Sequence, residues 1–123
     1  FVDGVWKMLN QDKPKDYILS SNETHSIREF VELSFKYAGV LGIWNGKGQS
    51  EQYSISTEDY VKFEAKSSVL IKINPEFYRP AEVDILLGDS NPARQELGWE
   101  PKVSFPELVK KMTKNDLKLL TSK

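Results

Sequence analysis

The sequence predicts an α/β fold of mixed short strands and capped helices. Serine followed three residues later by glutamate, the pattern of a helix capping box, occurs twice, at Ser26 with Glu29 and at Ser104 with Glu107. Residues 69–73, with the sequence Val-Leu-Ile-Lys-Ile, are rich in the β-branched apolar residues found in strands. With 123 residues, of which 39% are hydrophobic and 28% charged, the chain fits one soluble globular domain.

The first nine residues predict a helix, because the apolar residues at positions 1, 2, 5, 6 and 9 share one helical face. This helix has no N-cap of its own, so we expect the chain to be part of a longer protein, although a start produced by processing would give the same pattern. Residues 16–21 form a short apolar run bounded by turn formers, which predicts a buried strand.

The next segment predicts a helix from Ser26 to Gly39, since apolar residues recur there at helical spacing and glycine commonly ends a helix. A strand, a short loop and a capped helix form half of a βαβ unit. Residues 41–68 have weak periodicity and predict short strands and loops.

Two helices are predicted in the last third of the chain. The first covers residues 93–97, with Pro92 near its first position and Gly98 at its end. The second is amphipathic, begins after Ser104 and carries lysines toward its C-terminus.

The composition excludes several kinds of partner. The 17 basic and 18 acidic residues are mixed along the chain and give a net charge of -1, which argues against nucleic acid. No apolar run approaches the roughly 20 residues that cross a bilayer. Zero cysteines and one histidine argue against a zinc site. We therefore expect no nucleic-acid, membrane or metal partner, and a cytoplasmic location.

The chain offers few catalytic groups. It has no glycine-rich dinucleotide motif, and none of its five tyrosines is followed four residues later by lysine, as in short-chain dehydrogenases. The single histidine, His25, lies in the loop before a predicted helix, where a capping or packing role explains it better than catalysis. We therefore predict no catalytic residue in this chain.

Arg79 and Glu82 are the best candidates for a binding site. Arginine presents a planar pair of donors to phosphate oxygens, and a carboxylate three residues later can accept hydrogen bonds from ribose hydroxyls or a base amine. Such a pair suits a nucleoside diphosphate. The alternative is that the two side chains pair with each other or with other surface charges.

Several motifs resemble one family. Four segments are similar, in the same order, to the C-terminal part of the GDP-mannose 4,6-dehydratases, which are extended short-chain dehydrogenases. They are the opening helix, residues 24–32, residues 78–89 and residues 96–101. The run Arg-Pro-Ala-Glu-Val-Asp at 79–84 is the most specific part, whereas Leu-Gly-Trp-x-Pro is shared more widely. Residues 49–67 depart most from the family pattern.

The resemblance implies that residues 1–123 are a single substrate-binding domain, the C-terminal part of an extended short-chain dehydrogenase whose Rossmann half is absent from the chain. Family members are NADP-dependent lyases. They oxidise C4 of GDP-mannose, remove water across C5 and C6, and return the hydride to C6, which yields the GDP-4-dehydro-6-deoxy-mannose used to make GDP-fucose. NADP would bind to the Rossmann half, so this chain alone would be inactive.

The resemblance also implies roles for individual residues. Arg79 would bind phosphate or ribose of GDP-mannose, and Glu82 would bind ribose. Gly46 and Lys47 belong to a loop near the sugar nucleotide and would approach phosphate, although a solvated glycine-rich turn explains them equally well. We expect Trp99 to pack in the core rather than stack on guanine.

Two other functions share these features. One is a non-catalytic nucleotide-sugar-binding or interaction module. The other is a related NAD(P)-dependent sugar-nucleotide epimerase or reductase. The Arg-Pro-x-Glu-Val-Asp run, together with Thr-His-Ser-Ile-Arg-Glu-Phe at 24–30, favours the dehydratase over the epimerase or reductase, whereas the sequence upstream of Phe1 would distinguish it from the non-catalytic module. For the dehydratase the family implies a homo-oligomer, either a dimer or a tetramer.

Overall fold

The computed structural model describes residues 1–79, residue 81 and residues 85–122. These residues form two compact units. The first unit contains the described residues within 1–25 and 83–105, and the second contains those within 26–82 and 106–123.

The elements confirm the mixed α/β class with short strands and capped helices. None of the helices in the described part of the chain has both the length and the apolar character needed to cross a membrane. In chain order, the elements are α1 (Val2–Leu9), α2 (Ile27–Tyr37), β1 (Gly42–Asn45), a 3-10 turn (Gly48–Ser50), β2 (Gln52–Ile55), α3 (Thr57–Lys62), β3 (Val69–Lys72), a 3-10 turn (Pro75–Phe77), α4 (Asn91–Leu97) and α5 (Phe105–Thr121).

The core of the first unit is built around Trp99, which is buried with Ala93 and Leu97. Gly98 ends α4 in the left-handed conformation, with φ of 58°, and the Trp99 amide donates to the Ala93 carbonyl at 3.2 Å. This turn directs the indole back onto the helix. The expected packing role of Trp99 is confirmed.

Helix α1 lies close to this core through Gly4. A Cβ atom at Gly4 would lie 2.5 Å from the Leu19 side chain and 3.1 Å from Nε1 of Trp99, so a larger residue there would force the Leu19 side chain to move. The opening helix predicted from the sequence is therefore confirmed, and its buried face is centred on Gly4.

The strand predicted at residues 16–21 is wrong. This segment has no regular secondary structure, and Ile18 is 55% exposed. A strand requires a ladder of backbone hydrogen bonds, and among the described residues no strand pairs with this segment. Side chains hold it instead, because the Ser20 hydroxyl donates to the Gly88 carbonyl.

Asn22 joins this segment to the start of α4. Its backbone is left-handed, with φ of 62°. Its Oδ1 atom accepts hydrogen bonds from the Ser90 amide at 2.7 Å and the Ser90 hydroxyl at 2.8 Å. Ser90 is fully buried, so these bonds satisfy polar groups that water cannot reach.

Helix α2 of the second unit has the ends that the sequence predicts. The Ser26 hydroxyl accepts from the Glu29 amide at 3.0 Å. At the other end Gly39 has φ of 79°, and the amides of Gly39 and Val40 donate to the Lys36 and Phe35 carbonyls. These two bonds form a Schellman motif, which satisfies carbonyls at the helix C-terminus.

The three strands form one antiparallel sheet in the order β1-β2-β3. The central strand β2 buries Tyr53 and Ile55, and the Tyr53 ring lies 5.5 Å from the Phe35 ring of α2. The pairing of β2 with β3 is irregular between Tyr53 and Ser54. The short strands predicted within residues 41–68, and the strand predicted at residues 69–73, are confirmed.

Helix α3 was missed by the sequence analysis. Ser56 caps it by accepting from the Asp59 amide at 3.2 Å, and the buried Asp59 carboxylate accepts from the Leu41 amide at 2.6 Å. The Ser-x-x-Asp spacing is a helix-start signal. Six residues are too few for an apolar periodicity to emerge.

Replacing the cap of α2 should weaken that helix. The Ser26→Ala change leaves the Glu29 amide without its acceptor, at a cost of about 1 kcal/mol. We expect hydrogen exchange of the α2 amides, measured by NMR, to become about fivefold faster. Ser34→Ala is the matched control, because alanine favours the interior of a helix. Equal exchange in Ser26→Ala and the native chain would contradict the cap.

The pKa of Glu96 should depend on Lys15. Hydrogen bonds from the Lys15 ammonium and then from the Tyr17 hydroxyl hold the pKa of the Glu96 carboxyl below its ordinary value. Since the folded chain binds this proton more weakly than the unfolded chain, the contribution of this carboxyl to stability is present at neutral pH. It is lost as the pH falls through the lowered pKa.

Carbon-detected NMR titration of the Glu96 carboxyl checks this. Lys15→Gln should raise its pKa toward the ordinary value, whereas Lys13→Gln, which removes an exposed lysine of the same loop, should not. An unchanged pKa of Glu96 in Lys15→Gln would contradict the assigned cause.

Candidate functional site

The loop between β1 and β2 carries two of the predicted site residues. The last pair of the two strands is Asn45 with Gln52, so residues 46–51 form the loop. Gly46 has φ of 81°, and a Cβ atom there would lie 2.4 Å from the Ser50 carbonyl oxygen. Glycine is therefore required at this position. Gly46 and Lys47 are exposed, as expected for a solvated turn.

The Ser50 side chain holds the tip of this loop. Its hydroxyl donates to the Lys47 carbonyl at 2.9 Å, and the Glu51 amide donates to the Gly48 carbonyl at 3.1 Å. Gly48 also has a left-handed backbone, with φ of 56°. Local bonds and two left-handed glycines thus define the path of the backbone around Lys47.

The sheet brings this loop and the segment leading to Arg79 to the same end. Gln52, the first residue of β2, pairs with Asn45, the last residue of β1, and with Lys72, the last residue of β3. Because both pairings are antiparallel, the loop 46–51 and the chain that leaves β3 emerge at one end of the sheet. The sequence gives no sign of this proximity, since the two segments are about 30 residues apart.

Arg79 follows a short turn beyond β3. Asn74 begins that turn by accepting from the Glu76 amide at 3.1 Å, and Pro75 to Phe77 form the 3-10 turn. Arg79 itself is exposed. Glu82, its predicted companion in binding ribose, lies outside the described residues.

A group of side chains on α2 and the hairpin was missed by the sequence analysis. The Arg28 guanidinium lies over the Trp44 ring, 4.8 Å from its centroid, and forms an ion pair with Glu51. The Trp44 indole Nε1 donates to Glu32 at 2.7 Å. Arg28 and Glu32 are four residues apart, which places them on one helix face, but the sequence does not indicate which strand that face meets.

Tyr53 lies beside this group and stays protonated. Its ring lies 4.9 Å from that of Trp44. Burial raises the pKa of the Tyr53 hydroxyl above its ordinary value, because the charged form would lose its hydration. The Tyr53 ring packs between Phe35 and Trp44 in the second unit.

His25, in the first unit, has a packing role as the sequence predicts. Its ring stacks on Phe105 with centroids 3.9 Å apart and planes 7° apart. Its Nε2 atom lies 3.4 Å from a Glu23 carboxylate oxygen. The ring is thus held between an aromatic face and a carboxylate.

The described side chains suit the binding of an anion better than the catalysis of a reaction. Lys47 and Gly46 are exposed in the loop at one end of the sheet, and the chain that leaves β3 at the same end carries the exposed Arg79 seven residues later. Within the described ranges, no three histidine or carboxylate side chains come together as a metal site would require. The arrangement can attract and orient a phosphate-bearing ligand.

Comparison with known proteins points to one family. A family model described as GDP-mannose 4,6 dehydratase matches residues 1–112. The chain is 42% identical over 120 residues to the protein of that name from Drosophila melanogaster, and 42% identical to that from Dictyostelium discoideum. It is 38% identical to that from Homo sapiens.

The match covers nearly all of this chain and a minority of each relative. It includes 98% of the chain but 28% of the Drosophila protein, 32% of the Dictyostelium protein and 30% of the human protein. The chain corresponds to their C-terminal portion. By the extent of this match, and as its motifs predict, the chain belongs to the GDP-mannose 4,6 dehydratase family.

Proposed function

We propose that this chain supplies the GDP-mannose-binding part of an NADP-dependent GDP-mannose 4,6-dehydratase, a lyase. The observation that carries the proposal is the shared end of the sheet, from which both the loop 46–51 and the segment leading to Arg79 emerge. Family membership supports the identity of the ligand.

In this proposal each group recognises one part of the nucleotide. The Arg79 guanidinium binds phosphate or ribose through its planar pair of donors, and Glu82 accepts from ribose hydroxyls. The Lys47 ammonium attracts the diphosphate, and the exposed backbone of Gly46 approaches its phosphates. All four act on GDP, at a distance from the bonds that change.

NADP does not fit the described residues. A dinucleotide pyrophosphate binds where a glycine-rich turn joins a parallel strand to a helix. The described sheet is antiparallel, and its glycine-rich turn, at Gly46 and Gly48, joins two strands. We therefore assign NADP, which supplies the hydride acceptor of the reaction, to the part of the longer protein outside this chain.

The contribution of this chain to catalysis is then positioning. Contacts to GDP hold the mannosyl ring in place, so that binding energy from a remote group serves the reaction. The chain alone binds but does not convert GDP-mannose. By resemblance to the family, we place the complete enzyme in the cytoplasm as a homo-oligomer.

Titration of the chain with GDP and then GDP-mannose, followed by amide NMR, tests the proposal. We expect peaks of the loop 46–51 and of residues near Arg79 to shift. Arg79→Ala should raise the dissociation constant of GDP by about tenfold or more, because a charge-assisted hydrogen bond to phosphate is lost. Lys118→Ala, which removes an exposed cation of α5, is the matched control.

The outcomes are distinct. A dispersed spectrum without shifts on adding GDP would contradict a nucleotide site in this chain. Shifts that persist unchanged in Arg79→Ala would contradict the role of Arg79 but leave the nucleotide site in place. In the complete dehydratase, Arg79→Ala should raise KM more than it lowers kcat, since the contact is to a group that does not react.

A further inference from the structure

We propose that Arg28, Glu51 and Trp44 are positioning residues that fix the loop 46–51 and thereby hold Lys47 and the Gly46 backbone ready for a nucleoside diphosphate. This inference rests on the proposed nucleotide site. It adds three residues that do not themselves contact the ligand.

One guanidinium holds both arms of the hairpin. Arg28 lies in the first turn of α2, and its Cζ atom is 4.8 Å from the centroid of the Trp44 ring in β1. Its Nη2 atom also binds the carboxylate of Glu51, the last residue of the loop. The two ends of the loop are therefore tied to the same point on a helix.

The Trp44 ring is itself fixed on three sides. Arg28 covers one face, the Glu32 carboxylate accepts from Nε1 at 2.7 Å, and Tyr53 packs at 4.9 Å between centroids. Tyr53 is buried and in turn contacts Phe35 of α2. A ring with these contacts cannot change its position without breaking several of them, so it is a rigid base for the loop that starts two residues later.

The loop's own hydrogen bonds, between Lys47 and Ser50 and between Gly48 and Glu51, define its shape but do not anchor it to α2. The path of its backbone depends on the two left-handed residues Gly46 and Gly48, and glycine has more accessible conformations than any other residue. A loop that samples many conformations loses entropy when a ligand orders it, which weakens binding. Tying its ends beforehand removes part of that cost.

Because Glu51 is negatively charged, the direction in which its removal changes the affinity for a diphosphate tests the inference. If charge alone decided the affinity, removing this carboxylate would strengthen the binding of an anionic diphosphate. If Glu51 acts by holding Arg28 and the loop, the same change weakens binding. The two explanations therefore predict opposite effects of Glu51→Gln, which nearly preserves the size of the side chain.

We would measure the dissociation constant of GDP for the chain and its variants by NMR titration. Glu51→Gln and Arg28→Gln should each raise it about fivefold, the scale expected for loss of an ion pair or a cation–π contact. Arg28→Lys should restore part of the affinity, since it keeps the charge. Lys36→Gln, which removes an exposed cation near the other end of α2, should have a smaller effect.

A second readout does not depend on ligand. In the ligand-free chain, nitrogen relaxation of residues 46–50 should show greater mobility in Glu51→Gln and Arg28→Gln, and the Trp44 indole signal should shift in Arg28→Gln. Lys36→Gln should leave both unchanged.

Failure of this inference is separable from failure of the proposed function. If the native chain binds GDP and Glu51→Gln binds it as tightly or more tightly, the positioning role is wrong and the nucleotide site stands. If the native chain does not bind GDP, the nucleotide site is wrong and the positioning role falls with it.

Discussion

The buried ring of Tyr53 is the contact on which the second unit depends. Tyr53 lies in the central strand, so both neighbouring strands pair with its backbone, and its ring packs against Phe35 of α2 and Trp44 of β1. Sheet, helix and hairpin thus meet at one side chain. Burial raises the pKa of the Tyr53 hydroxyl, and the ring contributes a large apolar area with one polar atom to this packing.

The charged groups of this unit extend that arrangement to the surface. Arg28 and Glu32 leave the same face of α2 and bind the face and the edge of Trp44, respectively. The contacts of Arg28 with Trp44 and Glu51 are weak alone, since exposed cation–π and ion pairs each contribute about 1 kcal/mol or less. Their value lies in geometry, because they join α2 to the hairpin whose loop carries Lys47.

Local sequence signals were reliable where the physical cause is local. Helix caps at Ser26 and left-handed stops at Gly39 and Gly98 depend on neighbouring backbone groups, and each is found as predicted. The strand expected at residues 16–21 failed because a short apolar run fixes neither burial nor a hydrogen-bonding partner, and Ile18 is exposed. The place of this segment beside Gly88 depends on side-chain bonds between residues 68 positions apart.

The sequence by itself determined the class of fold, the family and the residue types suited to phosphate, since composition, caps and motifs are local or contiguous. Only the tertiary structure decided that the loop at Gly46 and the path to Arg79 share one end of the sheet, because strand register is a long-range property. The grouping of Arg28, Trp44 and Glu51 is equally non-local. It arises from the packing of α2 on the hairpin, which no spacing in the chain encodes.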